Sequence, residues 1–367
     1  MKIKKKTWLF SSSALFISLL LIMGFYYIGW VRALNVGAKA SDIKITPNMG
    51  VYQLSKVLVQ RGWVASPHFV RWVAEWTGDK QLRFGQYAVA TTMTIAQLLH
   101  NLNHSQGLIS HQLTFIEGST FNDFLARLQA DNNVSHTLTT SNEHALLQEL
   151  DIKESALEGL FFPDTYHFTW GTKDKVILQK AHQRLQTLLQ QQWQQRAAGL
   201  PYKNAYQALI VASLIESEVR WPQERPLVAS VIVNRLRKRM RLQIDTTVMY
   251  GLNKPFGSQL TRRDLKKYTA YNTYRVKGLP PTPINMPSFA SIHAALHPAH
   301  TNYLYYVVKS EGRHQFSVDY QQHRDAVDLY KKRLSLDAAH QHRQDLMMKS
   351  FVLSDYSAYI LLFLGFS

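Results

Sequence analysis

The feature that most constrains this chain is a run of 23 residues without a charged side chain, from Trp8 to Trp30. A helix of that length, rising about 1.5 Å per residue, spans the roughly 30 Å hydrocarbon core of a bilayer with some tilt. The sequence therefore predicts one membrane-spanning helix, with everything after Val31 on one side of a membrane.

The flanks of this run predict its orientation. Four lysines precede it, at positions 2, 4, 5 and 6, and positive charge favours a cytoplasmic N-terminus. Aromatic side chains, which suit the membrane–water interface, stand at both ends: Trp8, Tyr26, Tyr27 and Trp30. The remainder of the chain is expected outside the cytoplasm.

A cleaved signal peptide is the alternative interpretation of this segment. The run is long for a signal peptide and ends in the bulky residues Tyr26, Tyr27 and Trp30. A small-x-small tripeptide does exist at residues 38–40, but it lies well beyond the apolar run. A retained anchor is therefore favoured over cleavage.

Composition limits the number of domains, the chemistry and the partners that this chain can have. The 367 residues, 46% of them apolar, suffice for about two or three domains with their own cores. The absence of cysteine excludes disulfides, thiolate chemistry and cysteine-ligated metals. The net charge of +17 favours anionic headgroups or an anionic polymer. Nucleic acid is not expected as a partner, because the basic residues form no aromatic-interleaved stripe, and the short run at 235–241 is equally well a solvated helix end.

Hydrophobic periodicity predicts a helix-rich α+β protein. Residues 42–103 alternate short strands with helices at 51–61, 66–76 and 94–102, which describes a small α+β module. Further helices are predicted at 175–196, 204–219, 224–239 and 289–296, with a proline-rich loop at 278–287 and a strand at 303–308. The last segment, 356–367, is apolar but too short to span a membrane as a helix.

Glu216 is the first charge after an apolar helical run that starts at Ala208. Burial disfavours the ionised form of a carboxyl, and a buried acid can keep a proton and donate it to a leaving group. Glu218 follows two residues later, about 200° around the helix, so the two glutamates cannot face one substrate. The residues alone leave two interpretations of Glu216 open, an acid catalyst and a paired structural carboxylate.

Metal and cofactor chemistry find little support in the sequence. His293, His297 and His300 cluster, but no glutamate of the zincin type stands between them, and Pro298 ends the helix. Neither a glycine-rich phosphate loop nor a nucleophile elbow occurs. No metal site and no cofactor are therefore expected.

Several ordered blocks resemble one known family. The core is Ala212-Ser213-Leu214-Ile215-Glu216-Ser217-Glu218, followed by Val228-Ala229-Ser230-Val231-Ile232-Val233-Asn234-Arg235-Leu236. The other blocks lie at 158–166, at 240–251, at 271–274 with 278–281, and at 303–305 with 314–316. Together they resemble the membrane-anchored endolytic murein transglycosylases of the YceG-like (MltG) family, from the anchor to about Tyr330.

The resemblance implies an architecture and a location. Residues 1–34 are expected to form a cytoplasmic stub and membrane anchor, 35–110 a LysM-like module, 111–332 the catalytic domain, and 333–367 a tail of unknown role. It also implies a single-pass protein of the bacterial cytoplasmic (inner) membrane, with its catalytic domain in the periplasm or otherwise outside the cytoplasm.

The resemblance also implies an activity. Such enzymes cleave the β-1,4 bond between N-acetylmuramic acid and N-acetylglucosamine in nascent glycan strands, leave a 1,6-anhydromuramyl end and so terminate strand elongation. The catalytic glutamate is the first of the Glu-x-Glu pair, here Glu216. The implied partners are peptidoglycan glycan strands, the cytoplasmic membrane and peptidoglycan synthases.

Polar residues of the shared blocks are candidates for the substrate cleft. They are Asp164, Asn234, Gln243, Asp245, Tyr271, Asn272 and His314. Each also has a structural interpretation as a turn cap, a loop brace or a partner for backbone groups.

The chain departs from the family pattern in two loops. Asp245-Thr246-Thr247 replaces the usual Asp-Pro-Thr, and Met286-Pro287-Ser288 replaces Asn-Pro-Gly. We expect these departures to alter loop geometry and to leave the acid unaffected.

Two other functions fit the same sequence. A muramidase would hydrolyse the same bond with water, and a non-catalytic protein would bind peptidoglycan as a scaffold. The lack of an obvious second catalytic acid favours the transglycosylase, because most glycosidases use two carboxyls.

Overall fold

The computed structural model describes residues 3–138, 142–310, 312–333 and 344, with side chains from Ala14 onward except at Ser310. It is a mixture of helices and short strands, which confirms the predicted combination of the two. The apolar segment at 356–367 lies outside the described residues.

The N-terminal apolar run forms the helix that its composition predicts. Helix α1 spans Ile3–Tyr26 and continues as a π-helical turn, Tyr27–Val31. Within it, Ala14–Val31 is long and apolar enough to cross a membrane, and almost none of this segment is buried in the protein. Membrane insertion and orientation remain predictions.

The chain divides into two compact units. Unit 1 contains Met1–Phe115, Phe124–Asp151 and Asp164–Lys180, and unit 2 contains Ile116–Asp123, Ile152–Pro163 and the chain from Ala181 onward. The domain boundaries predicted at residues 34, 110 and 332 remain predictions.

Unit 1 begins with a β-α-α-β arrangement followed by a helix. Its elements are β1 (Ser41–Ile45), α2 (Val51–Gln60), α3 (Pro67–Thr77), β2 (Gly85–Val89) and α4 (Ile95–His104). Strands β1 and β2 pair antiparallel with Ile43 opposite Tyr87. Leu54, Leu58 and Leu98 are fully buried together with these two residues, so the two strands and the helices share one core.

The next part of the chain adds two short strand pairs. Strand β3 (Ser110–Thr114) pairs antiparallel with β5 (Thr165–Thr169), and β4 (Val134–Ser135) pairs parallel with β6 (Thr172–Lys173). The helices of this region are α5 (Phe121–Ala130), α6 (Glu143–Leu150) and α7 (Asp174–Gln194).

Unit 2 is built around a helix that is buried on all sides. This helix, α8 (Ala205–Glu218), starts at the N-cap Asn204, whose side chain accepts a hydrogen bond from Gln207 N. Every residue from Ala208 to Ile215 is buried, as expected of a helix that is apolar all round. The carboxylates that follow therefore stand at the end of a rigid, fully packed element.

The other elements of unit 2 surround α8 or follow it in the chain. They are a 3₁₀ turn (Pro222–Glu224), α9 (Arg225–Arg237), α10 (Asp245–Gly251), α11 (Arg262–Lys266), α12 (Phe289–Leu296), the antiparallel strands β7 (Tyr305–Ser310) and β8 (Arg313–Ser317), and a helix α13 over 320–333. Helix α12 packs against both α8 and α9.

The proline-rich loop is fixed to the middle of α8. Ile284 N donates to Ser213 Oγ at 3.1 Å, and Asn285 Nδ2 donates to Ser213 O at 2.9 Å. Gly159 closes over the same loop with φ of 79°, and a Cβ atom there would lie 2.3 Å from Pro283 Cβ. The loop position thus depends on a glycine that provides both the backbone angle and the space.

Replacing Gly159 with alanine tests this packing. We expect Gly159→Ala to cost about 2 kcal/mol more than Gly257→Ala, because both positions have positive φ but only the first forces overpacking against a neighbour. Thermal unfolding of the full chain in detergent, followed by circular dichroism, measures the difference. Equal losses of stability in the two variants would show that Pro283 moves away from the added methyl group with no energetic penalty.

Candidate functional site

Glu216 lies near the end of α8 with only 7% of its side chain exposed. Its Oε2 accepts two hydrogen bonds from Ser288, one from the backbone N at 2.9 Å and a short one from Oγ. Ser288 is the N-cap of α12, so the carboxylate sits at the positive end of that helix. This environment stabilises an anion that would be unfavourable at the C-terminal end of α8 alone.

The hydroxyl of Ser288 is itself oriented. Its Oγ accepts a hydrogen bond from Ser291 N at 3.3 Å, the usual N-cap contact, and donates to Glu216. The departure at residues 286–288 therefore lies in direct contact with the acid, and the expectation that the acid is unaffected stays a prediction. Ser288, which stands where the family pattern has glycine, donates a hydrogen bond from its side chain directly to the Glu216 carboxylate.

Arg225 approaches the other carboxylate oxygen. Its Nη2 lies 3.5 Å from Glu216 Oε1, and its Nε donates to Ser291 Oγ at 3.1 Å. Arg225 is the first residue of α9, and 12% of its side chain is exposed. Arg225 and the start of α12 together hold Glu216 from both sides.

A second carboxyl, Glu117, lies close enough to Glu216 to interact with its charge. The pKa of Glu117 is raised, first by partial burial and then by the charge of Glu216, against a smaller lowering by Arg225. The next residue, Gly118, passes so near that a Cβ there would lie 3.7 Å from Glu216 Cγ. Its backbone N donates to Met286 O at 2.8 Å, which ties this segment to the proline-rich loop.

Comparison with known proteins identifies the family. A model described as the YceG-like family matches residues 43–329, most of the chain. The chain belongs to the YceG-like family. The resemblance inferred from the sequence blocks is thereby confirmed.

Two curated relatives are similar over most of this chain. A protein of Bacillus subtilis named endolytic murein transglycosylase is 26% identical over 311 residues, which cover 79% of this chain and 84% of the relative. A protein of Streptococcus pneumoniae with the same name is 24% identical over 322 residues, which cover 78% of this chain but only 57% of that relative. A crystal structure of a YceG-like protein from Listeria monocytogenes matches 79% of this chain and 99% of its own, with a TM-score of 0.47 and 23% identity.

The second glutamate of the pair, Glu218, belongs to a separate network. Thr246 Oγ1 donates to its Oε1 at 3.0 Å, and the Tyr306 hydroxyl donates to its Oε2 at 3.1 Å. Burial raises the pKa of Glu218, although these two hydrogen bonds lower it in part. The enclosed Glu218 therefore holds α10 and β7 against the end of α8.

Two predicted cleft residues join the network of Glu218. Tyr274 OH donates to Asp245 Oδ1, and the charge of Asp245 contributes to the raised pKa of Glu218. His314 Nδ1 lies 2.7 Å from Glu224 Oε2, and its ring packs edge-on against Tyr306 at 5.2 Å. In this YceG-like protein, Asp245 and His314 thus belong to the surroundings of Glu218.

Three other predicted cleft residues bind backbone or neighbouring side chains. Asn234 Nδ2 donates to Thr301 O and Tyr303 O, and buried Asn272 donates to Leu265 O and Lys267 O. The Tyr271 hydroxyl shares a hydrogen bond of 2.8 Å with that of Thr282.

Gln243 and Asp164 complete the predicted set. Gln243 adopts a positive φ of 51°, and its N donates to Thr273 O. Asp164 belongs to unit 1, where its Oδ1 accepts from Thr165 N at 2.7 Å and its carbonyl accepts from Phe115 N. For all seven residues the structural roles are visible, and substrate contact remains a prediction.

Sequence analysis missed Ser288, Arg225 and Glu117 as neighbours of Glu216. Arg225 follows Pro222 at the start of a helix, and Glu117 precedes the turn glycine Gly118, yet neither pattern specifies a partner. Only the tertiary fold brings these segments to the acid.

The structure also locates the groups able to bind a metal. The rings of His293 and His297 are in tilted contact with centroids 4.4 Å apart, and burial together with the charge of His293 lowers the pKa of His297. Within the described part of the chain, the cluster with ligand geometry is instead Asp79 with His100 and His104 in unit 1, whose ligand atoms lie within 4.8 Å of one another.

The raised pKa of Glu218 gives a prediction with a definite sign. A carboxyl with a raised native pKa stabilises the fold when protonated and loses that contribution as pH rises through the native pKa. The melting temperature of Glu218→Gln, relative to wild type, should therefore increase as the pH rises above about 4, the ordinary pKa of a glutamate. Glu149→Gln, the same change in α6, controls for loss of one negative charge, and parallel curves for wild type and Glu218→Gln would contradict the assignment.

Proposed function

We propose that this protein is a lytic murein transglycosylase that cleaves peptidoglycan glycan strands endolytically with Glu216 as its catalytic acid and base. Membership of the YceG-like family and the names of the curated relatives support the activity. The observation that carries the assignment to a residue is the enclosed Glu216 carboxylate, held through Oε2 by Ser288 and faced at Oε1 by Arg225.

The two carboxylate oxygens have different roles in this proposal. Oε2 already accepts two hydrogen bonds, so the proton to be donated is better accommodated on Oε1. When that proton leaves, the negative charge forms beside the Arg225 guanidinium and at the start of α12. These groups stabilise the product of proton transfer and thereby lower the barrier to it.

The proposed reaction transfers one proton out and one proton back. Glu216 protonates the glycosidic oxygen as the bond between this oxygen and the anomeric carbon of N-acetylmuramic acid breaks. The carboxylate then takes the proton of the muramyl 6-hydroxyl while that oxygen attacks the anomeric carbon and closes a 1,6-anhydro ring. No water is consumed, and Glu216 ends the cycle protonated as it began.

Glu117 supports a second candidate, hydrolysis of the same bond. Glycosidases of the inverting type use one carboxylic acid and one carboxylate that activates water. A carboxyl that interacts electrostatically with Glu216 could serve as that second group. The two reactions differ by one water in the mass of the product.

The proposed location indicates which glycan strands the enzyme would cleave. An anchor formed by α1 would hold the catalytic unit just outside the bacterial cytoplasmic membrane, where nascent strands emerge. Cleavage there would end strand elongation, and peptidoglycan synthases are the natural partners. The assignment of residues 35–110 as a LysM-like module and of 111–332 as the catalytic domain belongs to the same proposal.

Glu216→Gln tests the catalytic assignment. We expect the release of anhydromuramyl-ended fragments from purified glycan strands to fall by at least about a thousandfold, because an amide can neither donate nor recover the proton. Mass spectrometry of the fragments measures both rate and product. Glu149→Gln, the same chemical change in α6, should retain the wild-type rate.

Each outcome of this experiment is decisive. Anhydromuramyl ends released by folded Glu216→Gln at the wild-type rate would refute the role of Glu216. Wild-type products heavier by one water would replace the transglycosylase by the muramidase. No cleavage by the wild type would favour the glycan-binding scaffold.

Ser288→Ala tests the positioning of the acid. Loss of a hydrogen bond to a charged group costs about 1.5 to 3 kcal/mol, so kcat should fall about tenfold or more with KM little changed. Ser288→Thr, which keeps the hydroxyl, should restore most of the rate. Ser66→Ala removes the N-cap hydroxyl of α3 and controls for helix capping alone; an equal loss of kcat in both alanine variants would contradict a specific role.

A further inference from the structure

Helix α3 carries an aromatic stripe beside its buried face. Val70, Val73 and Ala74 form the buried face. Phe69, Trp72 and Trp76 follow one another at helical spacing on the neighbouring side. Trp76 contacts Trp72 in a tilted arrangement, with ring centroids 5.6 Å apart, and is nevertheless 71% exposed.

This stripe contacts the end of the apolar N-terminal segment. Phe25 lies 5.5 Å from Phe69 and 5.0 Å from Trp72, and Trp30 lies 5.7 Å from Trp72, measured between ring centroids. The backbone also approaches closely, since a Cβ on Gly29 would lie 2.7 Å from Val73 Cγ2. The last turns of the membrane-spanning segment are therefore packed directly on α3.

Exposed basic side chains also occur on α3 and on the preceding helix α2. Lys56 Nζ and the Arg71 guanidinium lie 4.4 and 5.7 Å from the centre of the Tyr52 ring, which is itself half exposed. Arg32 follows the apolar segment directly and is exposed. Aromatic rings combined with exposed cations are the side chains that favour an interface containing anionic lipid headgroups.

We propose that α3 is a membrane-interface helix, with Trp76 inserted at headgroup depth and Arg32 among anionic lipid headgroups. The proposal rests on the proposed anchor. If residues 14–31 cross the bilayer, Phe25 and Trp30 lie at the end of the span, and the rings that contact them lie at the same depth. The partner of the exposed Trp76 is then the lipid surface, which continues the contacts that Trp72 already makes.

This arrangement gives the first module two attachments to the membrane. A single spanning helix would leave the module free to rotate about its connection. A second contact through α3 fixes its orientation, because the two attachments are rigidly joined through Gly29 and Val73. We therefore expect the β1–β2 pair and α4 to keep a fixed angle to the membrane.

The absence of native cysteine makes site-directed spin labelling a direct test. The full chain is reconstituted in vesicles of phosphatidylethanolamine and phosphatidylglycerol, with one label at Trp76→Cys, Leu20→Cys or His144→Cys. Collision with oxygen, which is enriched in lipid, is compared with collision with a water-soluble nickel chelate. We expect oxygen to dominate at residue 20 and the nickel chelate at exposed residue 144 in α6. At residue 76 we expect a ratio of the two collision rates between those at residues 20 and 144.

A second reporter keeps the tryptophan in place. A label at His68→Cys, exposed on α3, should be several-fold less accessible to the nickel chelate than the label at residue 144. Adding Trp76→Ser to this variant should increase that accessibility. No change would show that Trp76 does not hold α3 at the membrane.

The outcomes separate the anchor from the docking of α3. A label embedded at residue 20 with residue 76 as accessible as residue 144 overturns the docking and leaves the anchor intact. A label at residue 20 in water overturns the anchor and the docking together. Dipolar broadening at residue 76 that disappears on dilution with unlabelled protein would show a second copy in place of lipid, and would also overturn the proposal.

Discussion

The contact between Glu216 and Ser288 is the interaction on which the candidate site depends. Helix α8 is buried on every side, and its C-terminal end is the unfavourable end for a negative charge. The carboxylate is tolerated because it lies at the opposite, favourable end of α12, where one residue supplies both a backbone and a hydroxyl donor. The packing of α12 against α8 therefore also places the start of α12 at the carboxylate of the candidate acid.

Several loops are arranged so that this contact can form. Ser213, one turn before Glu216, binds the proline-rich loop through Ile284 N and Asn285 Nδ2. The same loop accepts a hydrogen bond from Gly118 N and thus brings Glu117 towards the acid. Because each segment is fixed through backbone groups, the position of Ser288 relative to Glu216 is over-determined by the fold, which is what a preorganised acid requires.

The sequence predicted the elements of this structure better than their partners. An uninterrupted apolar run revealed α8 and the unusual charge at its end, and the long uncharged segment revealed α1, because both signals are local. The environment of Glu216 is made by Ser288 and Glu117, which are distant in sequence, and by Arg225 at the start of the next helix, and these segments meet only through tertiary packing. Nothing in the tripeptide 286–288 indicates that its last hydroxyl faces a carboxylate.

For the predicted cleft residues, the sequence motif was visible but the role of each side chain was not. Asn234 and Asn272 occur in blocks shared with a known family, yet both side chains bind backbone carbonyls of neighbouring segments. A residue that organises a site and a residue that contacts substrate leave the same mark in a sequence motif. Hydrogen-bond partners, which the sequence does not contain, separate the two.

Glu117 is a second ionisable group whose charge interacts with that of the candidate acid. The pKa of Glu117 is raised, first by its partial burial and then by the charge of Glu216. Arg225 Nη2, 3.5 Å from Glu216 Oε1, places a positive charge beside the oxygen from which the proposed proton transfer starts. A transglycosylase returns to the acid the proton that it donates, and needs one protonated carboxyl at the start and at the end of each cycle. With Ser288 and Arg225 placed to stabilise the charge on Glu216 when the proton leaves, the proposed reaction needs one carboxyl to carry the proton out and back and no water molecule as a reactant.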